Sequence, residues 1–254
     1  MNHFLREVAR AAHTDTFEVS ELFVGEPVEG SAADLRNGSL VSLEDALELV
    51  RRMRVGHGPY CVLKAAEMSV QCSWDGAVFL TLDSMTPLPE LDLWPHLSIS
   101  SREVPPAVHT EESFVTAVAD EAFWSSVASA PGRVKLLRER WAYGKFGSRW
   151  HDISDCALPR QRPPVDPRSL LSVVLDPQLD PDHVRLDSAF TAIRELGGSG
   201  ELVHEEFPFG IEAVADFRRD GWRFAVSESE AWRWMAVVPD RDGEVRACWG
   251  LADA

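Results

Sequence analysis

The chain has 254 residues, 45% of them hydrophobic and 26% charged, so it is long enough to bury one large core or two modest ones. Its 41 acidic residues outnumber the 25 lysines and arginines, which gives a formal net charge of −16. A field of this sign opposes binding to nucleic acid and to anionic membranes, and it favours encounter with a basic partner. No apolar run approaches the roughly 18 residues of a membrane span, so we expect no membrane insertion.

The first ten residues mix charged with apolar side chains and lack the pattern of a secretory signal, which favours a cytoplasmic protein. In that compartment free thiols are expected. One exception stays open, because a two-residue turn at Ala66-Glu67 would set two cysteines opposite each other. No C-x-x-C pair exists among the four cysteines, which are Cys61, Cys72, Cys156 and Cys248.

Helical spacing of apolar residues predicts two helices near the start of the chain. The first covers Met1 to Ala12, and the second follows Ser42, which can cap it together with Asp45 three residues on. Residues 17 to 40, acidic and rich in Gly and Ser, are expected to be irregular with one strand.

Strict alternation from Met68 to Trp74 predicts a strand, and Asp75-Gly76 predicts a type I′ turn that returns the chain along residues 77 to 82. This turn would place Trp74 opposite Ala77, and Cys72 opposite Phe79. Two more strands, at residues 60 to 65 and 97 to 101, would complete an antiparallel meander of about four strands.

The middle of the chain carries one clear helix signal and one ambiguous segment. Thr110 is predicted to cap a helix that continues through Val127 and ends before Pro131-Gly132. Residues 133 to 150 fit either a helix or a hairpin. The proline-rich residues 158 to 182 predict a linker between an N-terminal α+β domain at 1–157 and a smaller C-terminal α+β domain at 183–254.

Beyond the linker, apolar spacing predicts a helix after Asp187 that buries Phe190 and Ile193, and a second helix over residues 211 to 219. Strands are predicted at residues 222–227, 232–238 and 244–250, and the last two would form a hairpin across Asp240-Arg-Asp-Gly243.

These elements predict an α+β fold of antiparallel sheets with helices packed on one face. The order of helix, strand and Asp-Gly hairpin occurs at residues 42–82 and again at 211–250, so two related α+β units remain an alternative. Low identity between the two stretches favours coincidence.

Motifs for catalysis are sparse. His96-Leu-Ser-Ile99 matches the H-x-[ST]-x unit that two-histidine phosphoesterases carry twice, but the chain has no second copy, so we interpret His96 as a histidine at the start of a strand. His204-Glu205-Glu206 is interpreted as a solvated strand or loop edge. Phosphate-loop, nucleophile-elbow and zinc-protease motifs are missing, and we expect no motif-borne catalytic residue, no metal and no cofactor. A site assembled from distant residues stays open.

Charge is distributed unevenly along the chain. Residues 1–50 have a balance of −7, whereas residues 133–149 have +5. The latter interleave bases with aromatic residues, as single-stranded nucleic-acid sites do. The overall charge favours another interpretation, in which the aromatic residues are core and the bases pair with the acidic N-terminal region. This secondary basic-aromatic patch comprises Arg138, Arg140, Trp141, Lys145 and Arg149.

Nine tryptophans are many for this length, and several lie in the last third of the chain. Two of them, at positions 232 and 234, would share one face of a strand. Most are expected in the core, but an exposed aromatic face beside charged residues would form a protein-binding hot spot. The tentative binding residues are Trp222, Glu228, Glu230, Trp232, Arg233 and Trp234.

In composition and layout the chain resembles bacterial immunity proteins that neutralise polymorphic toxins. Such proteins are often acidic because many of their targets are basic nucleases, and charge complementarity speeds capture. The resemblance implies a non-enzymatic, acidic binding or inhibitory protein with a protein partner that is basic, and it transfers no residue. Two alternatives stay open: an enzyme with a dispersed small-molecule site, and a regulatory or scaffold module that uses residues 133–150 as its contact.

Overall fold

A computed structural model describes residues 1–24, 34–73, 75–83, 86, 95–102, 114–142, 147–177, 189–208, 220–227 and 234–250. These residues contain three helices and twelve strands in three antiparallel sheets, which confirms the α+β prediction. None of the helices in this described part is long and apolar enough to cross a membrane.

The chain forms two compact units. Unit 1 comprises Met1–Ser113 with Arg246–Cys248, and unit 2 comprises Phe114–Val245 with Trp249–Ala254. The division therefore falls earlier than the predicted linker at residues 158–182. That segment instead contributes a buried strand to the middle of a sheet in unit 2, because the apolar run Leu170–Leu175 lies between its prolines.

Unit 1 contains helix α1 (Asn2–Ala11), helix α2 (Leu43–Arg54) and a five-stranded sheet. Its strand order is β2-β1-β3-β4-β5. Both helices share one hydrophobic core with the sheet, to which Val8, Phe17, Val50 and Leu63 each contribute a buried side chain. The strands are β1 (Thr16–Phe23), β2 (Leu40–Ser42), β3 (Tyr60–Lys64), β4 (Met68–Cys72) and β5 (Val78–Leu82).

The N-terminus of α2 is capped as the sequence predicts. Ser42 Oγ accepts a hydrogen bond of 3.2 Å from the Asp45 N–H and donates one of 2.6 Å to the Asp45 carboxylate. We expect Ser42→Ala to lower the free energy of unfolding by about 1 kcal/mol, because a backbone N–H of the first turn loses its acceptor. Urea unfolding of this variant beside Ser42→Thr, which keeps the hydroxyl as acceptor and donor, tests the cap. Equal stability of the two variants would contradict it.

The β4–β5 hairpin differs by one residue from its predicted register. Cys72 pairs with Val78, and Gln71 pairs with Phe79. The Ser73 N–H donates to the Ala77 carbonyl oxygen at 2.8 Å, so the loop has three residues and ends on Gly76 with φ +82°. A three-residue loop closes in this way because glycine adopts the left-handed conformation without steric cost.

The predicted strand at residues 97–101 is absent from the structure, and His96 lies exposed in a turn before it. Apolar residues there are few, so the segment has little to bury.

The pairing of β3 with β4 brings two cysteines together. Val62 pairs with Gln71, so Cys61 lies opposite Cys72. Both are free thiols, as predicted, and burial raises the pKa of Cys61 to about 12.

Unit 2 contains helix α3 (Glu121–Ser129) and two sheets. The larger sheet has the order β12-β8-β6-β7 and the smaller one β10-β9-β11. Their strands are β6 (Lys135–Arg140), β7 (Ser148–Asp152), β8 (Leu170–Leu175), β9 (Phe190–Glu195), β10 (Leu202–Phe207), β11 (Phe224–Ser227) and β12 (Met235–Val237).

The two sheets of unit 2 pack on each other through one apolar cluster. The larger sheet supplies Leu136 and Trp150 to it, and the smaller sheet supplies Ile193 and Val226. The opposite face of the larger sheet joins α3 in a second cluster that includes Trp124. Helix and smaller sheet thus cover the two faces of the larger sheet.

Helix α3 begins ten residues later than the prediction that places it after Thr110. Asp120 is its N-cap and accepts a hydrogen bond of 2.9 Å from the Phe123 N–H. Upstream, Phe114 and Val118 form isolated bridges with Gly250 and Val237. Phe114 and Val118 therefore pair with extended segments instead of lying in the predicted helix. Thr110 itself lies outside the described residues.

Segment 133–150 is a hairpin of β6 and β7, which settles an alternative that the sequence left open. The helix predicted around Phe190 is wrong, because those residues form β9, the central strand of the smaller sheet. Its two faces are both buried, Phe190 and Ala192 on one and Ile193 on the other, and a strand buried on both faces imitates helical spacing.

The predicted C-terminal hairpin is also wrong. Its first strand exists as β12, but β12 pairs with β8. Asp240 and Gly243 do form the predicted turn, with a hydrogen bond of 2.9 Å from the Gly243 N–H to the Asp240 carbonyl oxygen. Residues 244–249 then run without regular secondary structure. The helix predicted at residues 211–219 lies outside the described residues.

Candidate functional site

The tentative tryptophan site is only partly described. Trp222 is buried, with its ring edge-on to Phe207 at 6.2 Å and the Arg194 guanidinium 4.8 Å from its centroid. Trp234 is half-buried against the cluster that contains α3. The two tryptophans therefore belong to different clusters. Outside the described residues lie Glu228, Glu230, Trp232 and Arg233, so their part in binding stays a prediction.

The basic-aromatic patch is divided between the two faces of the β6–β7 hairpin. Arg138 pairs with Trp150 across the ladder, whereas Arg149 pairs with Glu139 and lies on the other face. Trp141 is half-buried above Gly147, and Lys145 lies outside the described residues. The sequence places these residues close together, but alternation along the strands separates their side chains.

Most of these cations are engaged inside unit 2. Lys135 is buried and donates to the carbonyl oxygens at the end of α3, at 3.0 and 3.1 Å. The Arg140 guanidinium lies 5.3 Å from the ring centroid of Trp249, and Arg138 pairs with Glu206 at 3.2 Å. The partners of Lys135, Arg138 and Arg140 found among the described residues thus belong to unit 2 and not to the acidic N-terminal region.

Glu139 is the centre of a buried polar cluster on the α3 side of the larger sheet. It is 0% exposed. One carboxylate oxygen accepts from the Arg149 guanidinium at 2.7 and 3.0 Å and contacts His151 Nε2 at 3.2 Å. The other accepts from the Asp166 N–H at 2.6 Å and from Ser169 Oγ at 3.1 Å.

These donors decide the ionisation of Glu139. Burial raises its pKa, but the hydrogen bonds from His151, the Asp166 N–H and Arg149 outweigh burial and lower the pKa from 4.5 to about 2. A permanently ionised carboxylate with every lone pair occupied is a poor general acid or base. The cluster instead ties β6, β7 and the Asp166–Ser169 segment together.

A cavity of about 290 Å³ lies between the two sheets of unit 2. Its walls come from the inner faces of both: Arg138 and Trp150 from the larger sheet, Thr191 and Val226 from the smaller. The rest of the lining is Ala189, Phe190, Glu206, Phe207, Pro208 and Ser227. Its lining mixes polar and apolar side chains, and ligand sites in proteins are likewise concave with a few polar groups that orient the ligand.

The polar groups of the cavity differ in how well they are satisfied. Trp150 is 3% exposed, and its indole N–H meets no hydrogen-bond acceptor among the described residues. Arg138 has a charged partner, but the side chain of Glu206 is 64% exposed, so the pair is largely solvated. Arg138 and Trp150 both lie in the basic stretch that the sequence singled out.

Sequence reasoning missed the opposite wall of the cavity. Phe190 and Phe207 also line it, and their rings, stacked at 5.1 Å between centroids, belong to the cluster on the other face of β9. The sequence does not indicate Phe190 as a lining residue, because the spacing around it predicts a helix. The predicted strand edge at His204-Glu205-Glu206 belongs to the edge strand β10. The alternation of side chains along β10 is the signal from which the position of Glu206 on the β6 side could have been predicted.

His204 and Ser148 are a serine and a histidine that approach each other in the described part of unit 2. Ser148 Oγ and His204 Nε2 are 3.4 Å apart, longer than the usual reach of a catalytic pair. Burial lowers the pKa of His204. No carboxylate among the described residues hydrogen-bonds its other ring nitrogen, so the triad arrangement is not formed there.

The surface of unit 1 carries exposed carboxylates. Glu44 forms a bidentate pair with Arg6 at 2.7 to 3.1 Å, and Glu48 pairs with Arg51 at 2.7 Å. Others are exposed with no ion pair inside the described part of the chain, among them Asp15, Glu18 and Asp34.

Among the described residues no group of three or more His, Cys, Asp or Glu side chains could hold a metal ion. No protein-family model matches the chain, and comparisons with curated proteins and with solved structures find no match either.

Proposed function

We propose that this protein is an acidic binding or inhibitory protein whose partner is a basic protein, in the manner of bacterial immunity proteins that neutralise basic toxins. One observation carries the proposal. Four cations of the basic stretch, Lys135, Arg138, Arg140 and Arg149, are engaged within unit 2, whereas carboxylates such as Asp15 and Glu18 are exposed in unit 1. The formal charge of −16 therefore leaves acidic side chains at the surface, where they act on a partner.

Electrostatic complementarity of this kind affects mainly the rate of association. Exposed charges steer a basic partner over about one Debye length, roughly 10 Å at 0.1 M salt, and are screened beyond it. The same field repels nucleic acid and anionic membranes, so neither is proposed as a partner. No cofactor or metal is part of the proposal.

We expect the tagged protein to recover one stoichiometric basic partner from its native lysate at low salt and to lose it at high salt. The triple variant Asp15→Asn, Glu18→Gln and Asp34→Asn should then slow association with that partner about fivefold to tenfold at low salt. Surface plasmon resonance measures the rate.

A control triple variant in unit 2 makes the same change in charge at exposed positions: Asp155→Asn, Glu201→Gln and Glu205→Gln. Its association rate should change less than that of the unit 1 variant. Equal effects would mean that net charge alone is responsible. A partner that is acidic, or whose capture is indifferent to salt, would contradict the proposal.

The second candidate function is an enzyme with a dispersed small-molecule site, and the cavity between the sheets of unit 2 favours it. A scaffold module that docks through residues 133–150 is less favoured, because Lys135, Arg138, Arg140 and Arg149 already have partners. Recovery of the protein alone, with turnover of an added metabolite, would decide for the enzyme.

A further inference from the structure

We propose that the cavity between the two sheets of unit 2 binds a small carboxylate with an apolar body. The carboxylate would lie at Arg138 and the Trp150 indole N–H, and the apolar body would lie against the Trp150 ring and Val226. This inference is independent of the proposed protein partner, since the acidic residues invoked for that partner belong to unit 1.

The volume of the cavity sets the size of the ligand. A cavity of about 290 Å³ lies at the lower edge of the range for ligand sites in proteins. It corresponds to roughly ten water molecules at their share of liquid volume. The ligand is therefore of the size of a single substituted ring or a short-chain acid.

Trp150 gives the strongest indication that a polar ligand atom belongs in the cavity. Its side chain is buried and lines the cavity, and its N–H has no acceptor among the described residues. Leaving a buried donor unsatisfied is costly. The indole N–H groups of Trp141 and Trp222 also have no acceptor among the described residues, but only Trp150 lines the cavity. Indole donates only, so the complementary ligand atom must be an acceptor.

Arg138 indicates that the acceptor on the ligand carries a negative charge. It stands directly across the β6–β7 ladder from Trp150, so both side chains are on the same face of the sheet. Its ion pair with Glu206, at 3.2 Å, involves a side chain that is mostly in solvent, and such pairs are weak. A carboxylate inside the cavity competes well for the guanidinium because it binds in a less solvated place.

The remaining walls select the body of the ligand. Trp150 contributes an aromatic wall and Val226 an aliphatic one, and both side chains belong to the cluster between the sheets. Thr191 and Ser227 add hydroxyl groups at the lining, which allow a hydroxyl substituent on the ligand. Aromatic and hydroxyaromatic acids meet all of these conditions.

The test is a titration of the full-length protein with benzoate, salicylate and phenylacetate, with benzamide as the neutral counterpart, followed by the indole N–H signals in ¹H–¹⁵N NMR spectra. Trp150→Phe assigns the Trp150 signal by its loss. We expect this signal to move downfield and to saturate with at least one of the acids, with a Kd below about 10 mM. The signal of Trp234, assigned in the same way, should not move.

Affinity measured by calorimetry should fall about tenfold in Arg138→Gln and in Trp150→Phe, and benzamide should bind about tenfold more weakly than benzoate. Arg223→Gln, at an exposed arginine outside the cavity, is the matched control and should bind like the wild type. Circular dichroism and urea unfolding verify that the compared variants are folded.

Two outcomes would overturn the proposal. One is that no acid of the panel moves the Trp150 signal. The other is that binding is equal in the wild type and in folded Arg138→Gln. Either result leaves the proposed basic protein partner unaffected, because the test of that partner uses variants of unit 1 and a different readout.

Discussion

Replacing Glu139 with alanine is expected to lower the free energy of unfolding by about 3 to 5 kcal/mol, the usual consequence of breaking a buried charge network at one member. The carboxylate accepts hydrogen bonds from Arg149, the Asp166 N–H and Ser169, and contacts His151. Its removal leaves these donors without their acceptor, and since Ser169 is buried and His151 is only 14% exposed, the loss exceeds that of one hydrogen bond.

Urea unfolding followed by circular dichroism measures this change, and Glu205→Ala is its matched control. Glu205 lies exposed on edge strand β10, and its loss should change stability by no more than about 0.5 kcal/mol. A Glu139→Ala variant as stable as the control would mean that the cluster does not contribute to folding. In that case Glu139 would have to be reconsidered as a functional residue.

Much of the fold could be predicted where local signals and burial agree. The cap of α2, the helix α1 and the strands on either side of Asp75-Gly76 follow from spacing and turn chemistry alone. The register of that hairpin could not be predicted, because a two-residue and a three-residue loop share the same Asp-Gly signal.

Prediction failed where a strand is buried on both faces. Strand β9 places apolar side chains in two clusters, one on each of its faces. In the sequence these residues have the spacing of one face of a helix. β8 failed for another reason, since the prolines on either side of it, such as Pro167 and Pro177, hide a short apolar run that pairs with two neighbours. Its neighbours lie far away in sequence, and composition does not reveal them.

The residues of the candidate site also differ in whether the sequence could predict them. Arg138 and Trp150 could be singled out from the sequence because bases and aromatic residues alternate there. That they face a cavity, while Arg149 faces Glu139, depends on which residues are opposite one another in the hairpin. On the far wall the sequence predicts the strand that carries Val226, but it predicts a helix in place of its partner β9, so no local pattern could have joined the two sides.

The ionisation of Glu139 also makes an acid-dependent prediction. Because its pKa is lowered from 4.5 to about 2 on folding, the ionised carboxylate stabilises the folded state above pH 4.5, and this contribution is lost as the pH falls toward 2. Between pH 6 and pH 2.5 the expected loss through this one group is about 2 to 3 kcal/mol.

Since the chain has 41 acidic residues, its total stability responds to acid through many groups, and the contribution of Glu139 must be isolated by difference. The measurement is the free energy of unfolding in urea of the wild type and of Glu139→Gln at several pH values from 6 to 2.5. Glutamine stays neutral, so the wild type should be clearly the more stable at pH 6, and the gap should close as Glu139 is protonated. Glu205→Gln should follow the wild type throughout. A gap that is constant over this range would show that Glu139 titrates in the folded protein as it does in the unfolded chain, and that its donors do not hold its charge.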